Sequence, residues 1–310
     1  MARLNGDRAE PGLLLGGVAS AASVNGDPAK PGRLPGSVAR AASGYLIAIG
    51  VLALAGCGSK AAPPPLTPPP PPKPFRIVFP EGFTRVQMAV RVKVVAKIAE
   101  HERHKPVALS ETAYLAASRS GVVRCFGRTR WTNLEGFLFP ATYDFLRKTT
   151  SRQLVADQLA AFCDEWRKVG MSYARSKNLT PYDVLMIASM IEKEAAVPSE
   201  RPLMAAVIYN RLHARMPLGI DATLRYGLNI PPTESIYQSQ LQNPTPYNTR
   251  LHTGLPPTPI ANPGLASIRA AAHPAKVDYL YYVRKPDHHH HFFTASATAY
   301  NQYLATHGYG

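Results

Sequence analysis

The segment TPYDVLMIASMIEKEAA, Thr180–Ala196, carries its own start signal. Thr180 can accept from a backbone amide as an N-cap, and Asp183 stands three residues after it. Pro181 suits the first helical position, where its missing N–H would have no partner anyway. Val184, Ile187, Ala188, Ile191 and Ala195 then follow the i, i+3, i+4, i+7 rule, which predicts a helix with one apolar stripe. At ~100° per residue, Glu192 and Glu194 fall on opposite flanks of that stripe, each ~80° from its centre, with Lys193 pointing away. Packing against either flank would desolvate a carboxylate, raise its pKa and keep it protonated, as a general acid requires. Glutamate at a stripe edge is equally an ordinary solvated charge, and the spacing does not choose between Glu192 and Glu194.

The same periodicity extends on both sides. FRIVFPEGFT, Phe75–Thr84, reads as a short strand, a turn and a helix start; that helix runs to about Glu100, and a second begins at Ser110, whose hydroxyl can cap it. LEGFLFP, Leu134–Pro140, reads as a loop packing on or lining a groove. A helix is predicted from about Thr150 to Ser176, another from Ser199 to about Arg215, and a short one opened by Asp221 as cap. NPTPYNTR (Asn243–Arg250) and GLPPTPIANPG (Gly254–Gly264) are irregular, and loops of that length in a compact domain are usually functional or mobile. VDYLYYV (Val277–Val283) and HFFT (His291–Thr294) are strands, with the helix ASATAYNQYL behind them. Helices dominate and strands are few, so the fold class is α+β.

Composition bounds the surroundings. Among 310 residues, 35 Lys+Arg against 20 Asp+Glu leave a formal charge of +15, which favours nucleic acid, anionic lipid or an acidic wall polymer as neighbours. Residues 1–43 are Gly/Ala/Ser-rich and hold a repeat, Asn5–Ser23 recurring as Asn25–Ser43. Two weakly apolar copies cannot bury a core, so this reads as a disordered tail rather than a solenoid. Residues 44–59 contain the apolar run ending at Cys57; no charge stands between Arg40 and Lys60, close to the ~20 residues that cross a bilayer. Lys30, Arg33 and Arg40 precede it, orienting the N-terminus to the cytoplasm. Leu54-Ala55-Gly56-Cys57 also matches a lipoprotein cleavage box, so an uncleaved span and a lipidated Cys57 both stand; either puts the rest of the chain outside the cytoplasm. Residues 60–74 are a proline-rich linker, and its run Pro63–Pro74, extended at ~3.1 Å per residue, makes a spacer of ~35–40 Å. The membrane segment argues against nucleic acid as partner. Cys125 and Cys163 could pair in an oxidising compartment.

Other chemistries find little support. His288–His291 is the conspicuous metal candidate, but adjacent histidines on a strand alternate faces, so no metal site is assigned. His101-Glu102-Arg103-His104 lacks the i, i+4 spacing of a zinc-protease helix. The sequence contains neither a Gly-rich phosphate loop nor a serine nucleophile elbow.

Six ordered blocks carry a resemblance: Leu134–Tyr143, Ile187–Ala195, Ala206–Tyr226, Thr245–Thr249, Gly254–Gly264 and Ala270–Tyr282. Over about Phe75–Leu304 the chain resembles the endolytic murein transglycosylases of the YceG-like family. The resemblance implies a LysM-like module over residues 75–130 and a mainly helical catalytic domain over 131–310. It implies anchoring in the inner membrane, an extracytoplasmic catalytic domain, and cleavage of the MurNAc–GlcNAc bond of nascent peptidoglycan to 1,6-anhydro-MurNAc ends during cell wall assembly. No cofactor is implied; glycan strands are the substrate, and peptidoglycan synthases are candidate partners. The resemblance places the catalytic acid in the Glu-Lys-Glu triplet and favours Glu194, with Glu192 as close support. Tyr247, Asn248, Thr249, Asp221 and Asn210 correspond to the substrate groove. Many relatives have Gln where Gly219 stands and a Gly-rich stretch where His288–His290 stand, departures that bear on substrate contacts. The alternative class is a non-catalytic peptidoglycan-binding scaffold.

Overall fold

The computed structural model describes residues 73–308. The repeat, the candidate membrane segment with Cys57, and the proline-rich linker up to Pro72 lie outside the described residues. Among the described residues, no helix is long and apolar enough to cross a membrane.

The first strand, β1 (Phe75–Val78), pairs antiparallel with β4 (Thr142–Phe145), with Phe75 opposite Phe145 and Ile77 opposite Tyr143. Between them, α1 (Arg85–Arg103) packs on α2 (Glu111–Ser118), and a two-residue ladder joins β2 (Gly121–Val122) to β3 (Arg130–Trp131). Thr84 and Ser110 cap the two helices as their positions predict, each hydroxyl accepting from a first-turn amide. The first segment thus closes its sheet with a strand beyond Arg130.

The predicted helix over Thr150–Ser176 is two helices, α3 (Ser151–Trp166) and α4 (Ser172–Ser176). The Lys168 and Val169 amides turn back to the carbonyls of Glu165 and Trp166, tight i→i+3 bonds that close α3 before Gly170. Cys125 and Cys163 are joined, clipping the short 3₁₀ turn Arg124–Phe126 to α3. In the chain-entropy model a closed loop of this length stabilises by ~4 kcal/mol. Beside it lies an aromatic cluster, with Phe126–Trp166 ring centroids 4.7 Å apart and Trp131–Tyr182 4.6 Å apart. Such pairs add ~0.5–1.5 kcal/mol each beyond their buried area.

The central helix is α5 (Pro181–Glu194), opened by the capping box Thr180/Asp183 with Pro181 in its first turn. Its burial departs from the stripe expectation. Every residue from Val184 to Ile191 is buried, because α6 (Arg201–His213), α7 (Asp221–Leu228) and α9 (Leu265–Ala272) surround it. A helix enclosed on all sides needs apolar or small residues all round, and Leu185, Met186 and Met190 supply them off the stripe. Ser189, buried among them, is satisfied twice: its hydroxyl donates to the Met186 carbonyl (2.7 Å) and accepts from the Ile260 amide (3.0 Å). That second bond lays the Gly254–Gly264 loop along α5.

The remainder is a short α8 (Gln238–Leu241), the hairpin β5 (Tyr281–Arg284) with β6 (His291–Thr294), and α10 (Ala297–Thr306). The strand predicted over Val277–Val283 is shorter because α6 takes its carbonyls. Asn210 donates to the carbonyls of Val277 (3.0 Å) and Tyr279 (2.9 Å), and Arg211 to that of Leu280 (2.6 Å). With ten helices and three two-stranded sheets among the described residues, the fold is α+β.

Candidate active site

The last turn of α5 separates the two glutamates that helical spacing leaves equivalent. Glu192 reaches sideways: its Oε2 accepts the Gly264 amide at 3.0 Å, and Gly264 is the N-cap of α9. A carboxylate at a helix N-terminus compensates an unpaired N–H and the positive end of the helix dipole. Glu192 is therefore occupied in seating α9. Glu194, the final residue of α5, is 1 % exposed, and neither carboxylate oxygen has a hydrogen-bond partner. Its pKa is pushed up to about 8, chiefly by burial and then by the nearby Asp221 charge. Arg284, Arg250 and the facing Ala222 amide pull the other way without reaching hydrogen-bonding geometry. The carbonyl end of α5 opposes a negative charge as well. At neutral pH this carboxyl keeps its proton.

Asp221 does not cap α7. It is the first helical residue, Ile220 being the cap, and its side chain is held by Arg250 (Nε 3.0 Å, Nη2 2.5 Å). An Arg fork satisfies a buried carboxylate more completely than one amide would. Asn248 is fully buried, donating to the carbonyls of Leu241 and Asn243 and accepting from the Arg250 amide. Thr249 accepts from the Ile220 amide (3.0 Å) and meets the Thr223 hydroxyl (2.9 Å). Asn248 and Thr249 thus build the loop that presents Arg250 to Asp221, and Asn210 anchors the approach to β5. Of the five expected binding residues, Tyr247 alone lines the cavity described next.

That cavity, about 460 Å³, opens beside α5 and is walled by Arg85, Glu135, Lys193, Arg225, Tyr226 and Tyr247, with Ala222 between them. Tyr247 is held by the Thr258 hydroxyl (2.8 Å) and by the Tyr226 ring, 5.2 Å away between centroids. Gly227 makes room for it, since a Cβ there would stand 2.6 Å from that of Tyr247. Lys193, expected to face away from the packed side, instead lines the cavity and donates to the Gly82 carbonyl (3.3 Å). Burial lowers its pKa against the pull of Glu192, Glu194 and Glu135. Ala222 links the two sites, since it walls the cavity and turns its amide to Glu194.

Sequence reasoning missed Glu135. It is 2 % exposed, on the groove-lining loop predicted at Leu134–Pro140, and its pKa is pushed up to about 7 by burial. Four donor contacts oppose that shift: the Arg85 amide on both oxygens (2.9 and 3.1 Å), Asn262 Nδ2 (2.8 Å) and the Tyr226 hydroxyl (3.2 Å). The loop holds its path through Gly136, at φ 89° with Pro259 packed so close that a Cβ would lie 2.6 Å from it. A lone charge between Leu134 and Phe137 was the available signal. The four histidines do not act together: His291 is buried against Glu200 (2.7 Å), while His288, His289 and His290 are exposed.

A model of the YceG-like family matches residues 65–306. The chain belongs to that family. It is 39 % identical over 152 residues to a protein of Bacillus subtilis (strain 168) named endolytic murein transglycosylase, covering 49 % of this chain and 42 % of the relative. A protein of the same name from Streptococcus pneumoniae R6 is 35 % identical over 179 residues, covering 56 % of this chain and 32 % of the relative. The chain thus spans less than half the length of these curated relatives. The crystal structure of a putative YceG-like protein of Listeria monocytogenes superposes with a TM-score of 0.62 at 27 % identity, covering 74 % of this chain and 76 % of that one. The YceG-like fold is therefore shared over 74 % of this chain.

Proposed function

We propose that this YceG-like chain is a lytic transglycosylase that cuts within peptidoglycan glycan strands, with Glu194 as catalytic acid. The observation that carries this reading is a fully buried carboxyl without a hydrogen-bond partner, its pKa pushed up by burial to about 8, behind the wall of an open cavity. The names of the relatives support the reaction class.

Protonated Glu194 donates to the glycosidic oxygen between MurNAc and GlcNAc as positive charge builds on the muramyl C1. The muramyl C6 hydroxyl then gives its proton to a base as its oxygen bonds to C1, leaving a 1,6-anhydro end. No water attacks, so the paired carboxylates of an ordinary glycosidase are not required. Substrate entry brings the sugar to Glu194 through the Ala222 seam, since catalytic contacts commonly tighten only in the complex. Tyr247 and Tyr226 offer flat faces and hydroxyls to the sugar. The domain works outside the cytoplasm, tethered through residues 44–59 by a span or a lipidated Cys57, with a LysM-like first module. Cell wall assembly is its setting and peptidoglycan synthases its neighbours.

The test is digestion of purified glycan strands with mass spectrometry of the ends. Anhydro ends that vanish in Glu194→Gln support the proposal. Reducing ends would mean hydrolysis, and intact strands a binding protein.

A further inference from the structure

Glu135 stands on the cavity wall, where Glu194 does not, and its donors are unequal. Its Oε1 accepts two N–H groups, from Arg85 and Asn262, and neither donor can reverse. The Asn262 amide is committed besides, donating to the Phe83 carbonyl (2.9 Å) while its oxygen accepts from Leu138 (2.9 Å). Oε1 therefore cannot carry a proton. Oε2 shares the Arg85 amide at 3.1 Å and meets the Tyr226 hydroxyl at 3.2 Å, a group that can donate or accept. When Glu135 is neutral its proton sits on Oε2, the oxygen beside Tyr226; when it is ionised, Oε2 is the oxygen with acceptor capacity to spare.

The setting is chemically mixed. Charged and titratable groups reach Glu135 from every side: Arg85 at the start of α1, Tyr114 on α2, Lys193 on α5 and Tyr226 on α7. Arg85 and Lys193 favour the ionised form and burial favours the neutral one, so the group exchanges its proton near neutrality. A buried carboxyl needed only to tie the loop down would gain nothing from facing a cavity.

We propose that Glu135, paired with Tyr226 on the cavity wall, is a second catalytic residue, the base that takes the proton of the sugar hydroxyl closing onto the anomeric carbon. This rests on the transglycosylase reading and divides its labour. The C6 hydroxyl gives its proton to Oε2 of Glu135, and the freed O6 electron pair forms the bond to C1. The bond from C1 to the glycosidic oxygen breaks, its electrons stay on that oxygen, and Glu194 protonates it. The turnover ends with Glu135 neutral and Glu194 ionised, and proton exchange with water in the cavity restores both.

The experiment is the pH dependence of kcat/KM on purified glycan strands for the full chain, Glu135→Gln and Tyr226→Phe, with the melting temperature of each. The wild type is expected to lose activity on both sides, the acid limb set by Glu135 near pH 7. Glu135→Gln should lose that limb and ~10²-fold or more in rate. Tyr226→Phe removes a donor to the carboxylate, so its acid limb should move to higher pH with the carboxyl itself intact. Should Glu135→Gln fail to fold, Tyr226→Phe carries the test, because a merely structural role changes melting and leaves the limb where it was. An unmoved limb in Tyr226→Phe, or a wild-type rate in Glu135→Gln, overturns the assignment alone. A wild-type chain that leaves strands intact at every pH overturns the transglycosylase reading and this one with it.

Discussion

At the end of α5, Glu194 has no hydrogen-bond partner and faces the carbonyl end of a helix; Glu135, in the loop ahead of Gly136, takes the first amide of α1 and two side-chain donors besides. Both are almost wholly buried, and burial is the largest influence on each. The difference lies in what opposes it. Helix polarity works against charge at Glu194 and in its favour at Glu135, and the donors around Glu135 hold its pKa to about 7 where Glu194 rises to about 8. A carboxyl left unpartnered keeps its proton to give away. One surrounded by donors can surrender or accept a proton near neutrality.

The largest effect that could break this comparison is on turnover. Glu194→Gln keeps the shape and removes the proton donor, so cleavage should fall ~10²–10⁴-fold with the circular dichroism spectrum unchanged. Comparable activity in the variant would remove Glu194 from the chemistry.

Next comes Asn262→Ala, which deletes the amide shared by Glu135, Phe83 and Leu138. Buried groups left without partners should cost about 2–3 kcal/mol in urea unfolding. The Glu135 pKa, followed by ¹³C NMR of the labelled carboxyl, should rise because a donor to its charged form is gone. A fall would mean that burial is not what Asn262 opposes.

The pH dependence of stability separates the pair further. Each folded pKa lies above its usual value near 4.5, so the folded state holds protons that the unfolded chain releases. The stability this contributes is fully present below about pH 4.5 and is lost as pH rises through about 7 for Glu135 and about 8 for Glu194. Glu194→Gln should therefore lose less stability than the wild type between pH 5 and 9, read from denaturant midpoints. Identical slopes would mean that Glu194 is ionised in the fold.

The smallest effect belongs to Glu192→Gln. The amide oxygen still accepts from Gly264, so only the charge at the start of α9 is lost, about 0.5 kcal/mol. The pKa of Glu81, raised partly by the Glu192 charge, should drop, and cleavage should fall far less than in Glu194→Gln. A loss equal to that of Glu194→Gln would return Glu192 to the catalytic role.

Much of the architecture was legible because local rules decide it. Thr84, Ser110 and Thr180 open their helices with side-chain bonds a few residues away. Apolar periodicity shows that α5 is packed, but not how many neighbours pack on it; burial all round came from α6, α7 and α9. The missed boundaries have similar causes. The strand before Tyr281 is shortened by Asn210 and Arg211 reaching from α6, across a separation no local pattern records.

The chain order by itself determined that two glutamates end a helix with an apolar stripe, that Leu134–Pro140 is a loop packing on or lining a groove, and which family these blocks resemble. Tertiary structure alone decided which glutamate caps α9, which is left unpartnered, and that Glu135 and Lys193 come to one cavity. The reason is physical. Propensity, capping and periodicity act over a few residues, whereas the state of a carboxyl depends on whatever the rest of the chain brings within a few ångströms, and here those groups stand up to 127 positions away.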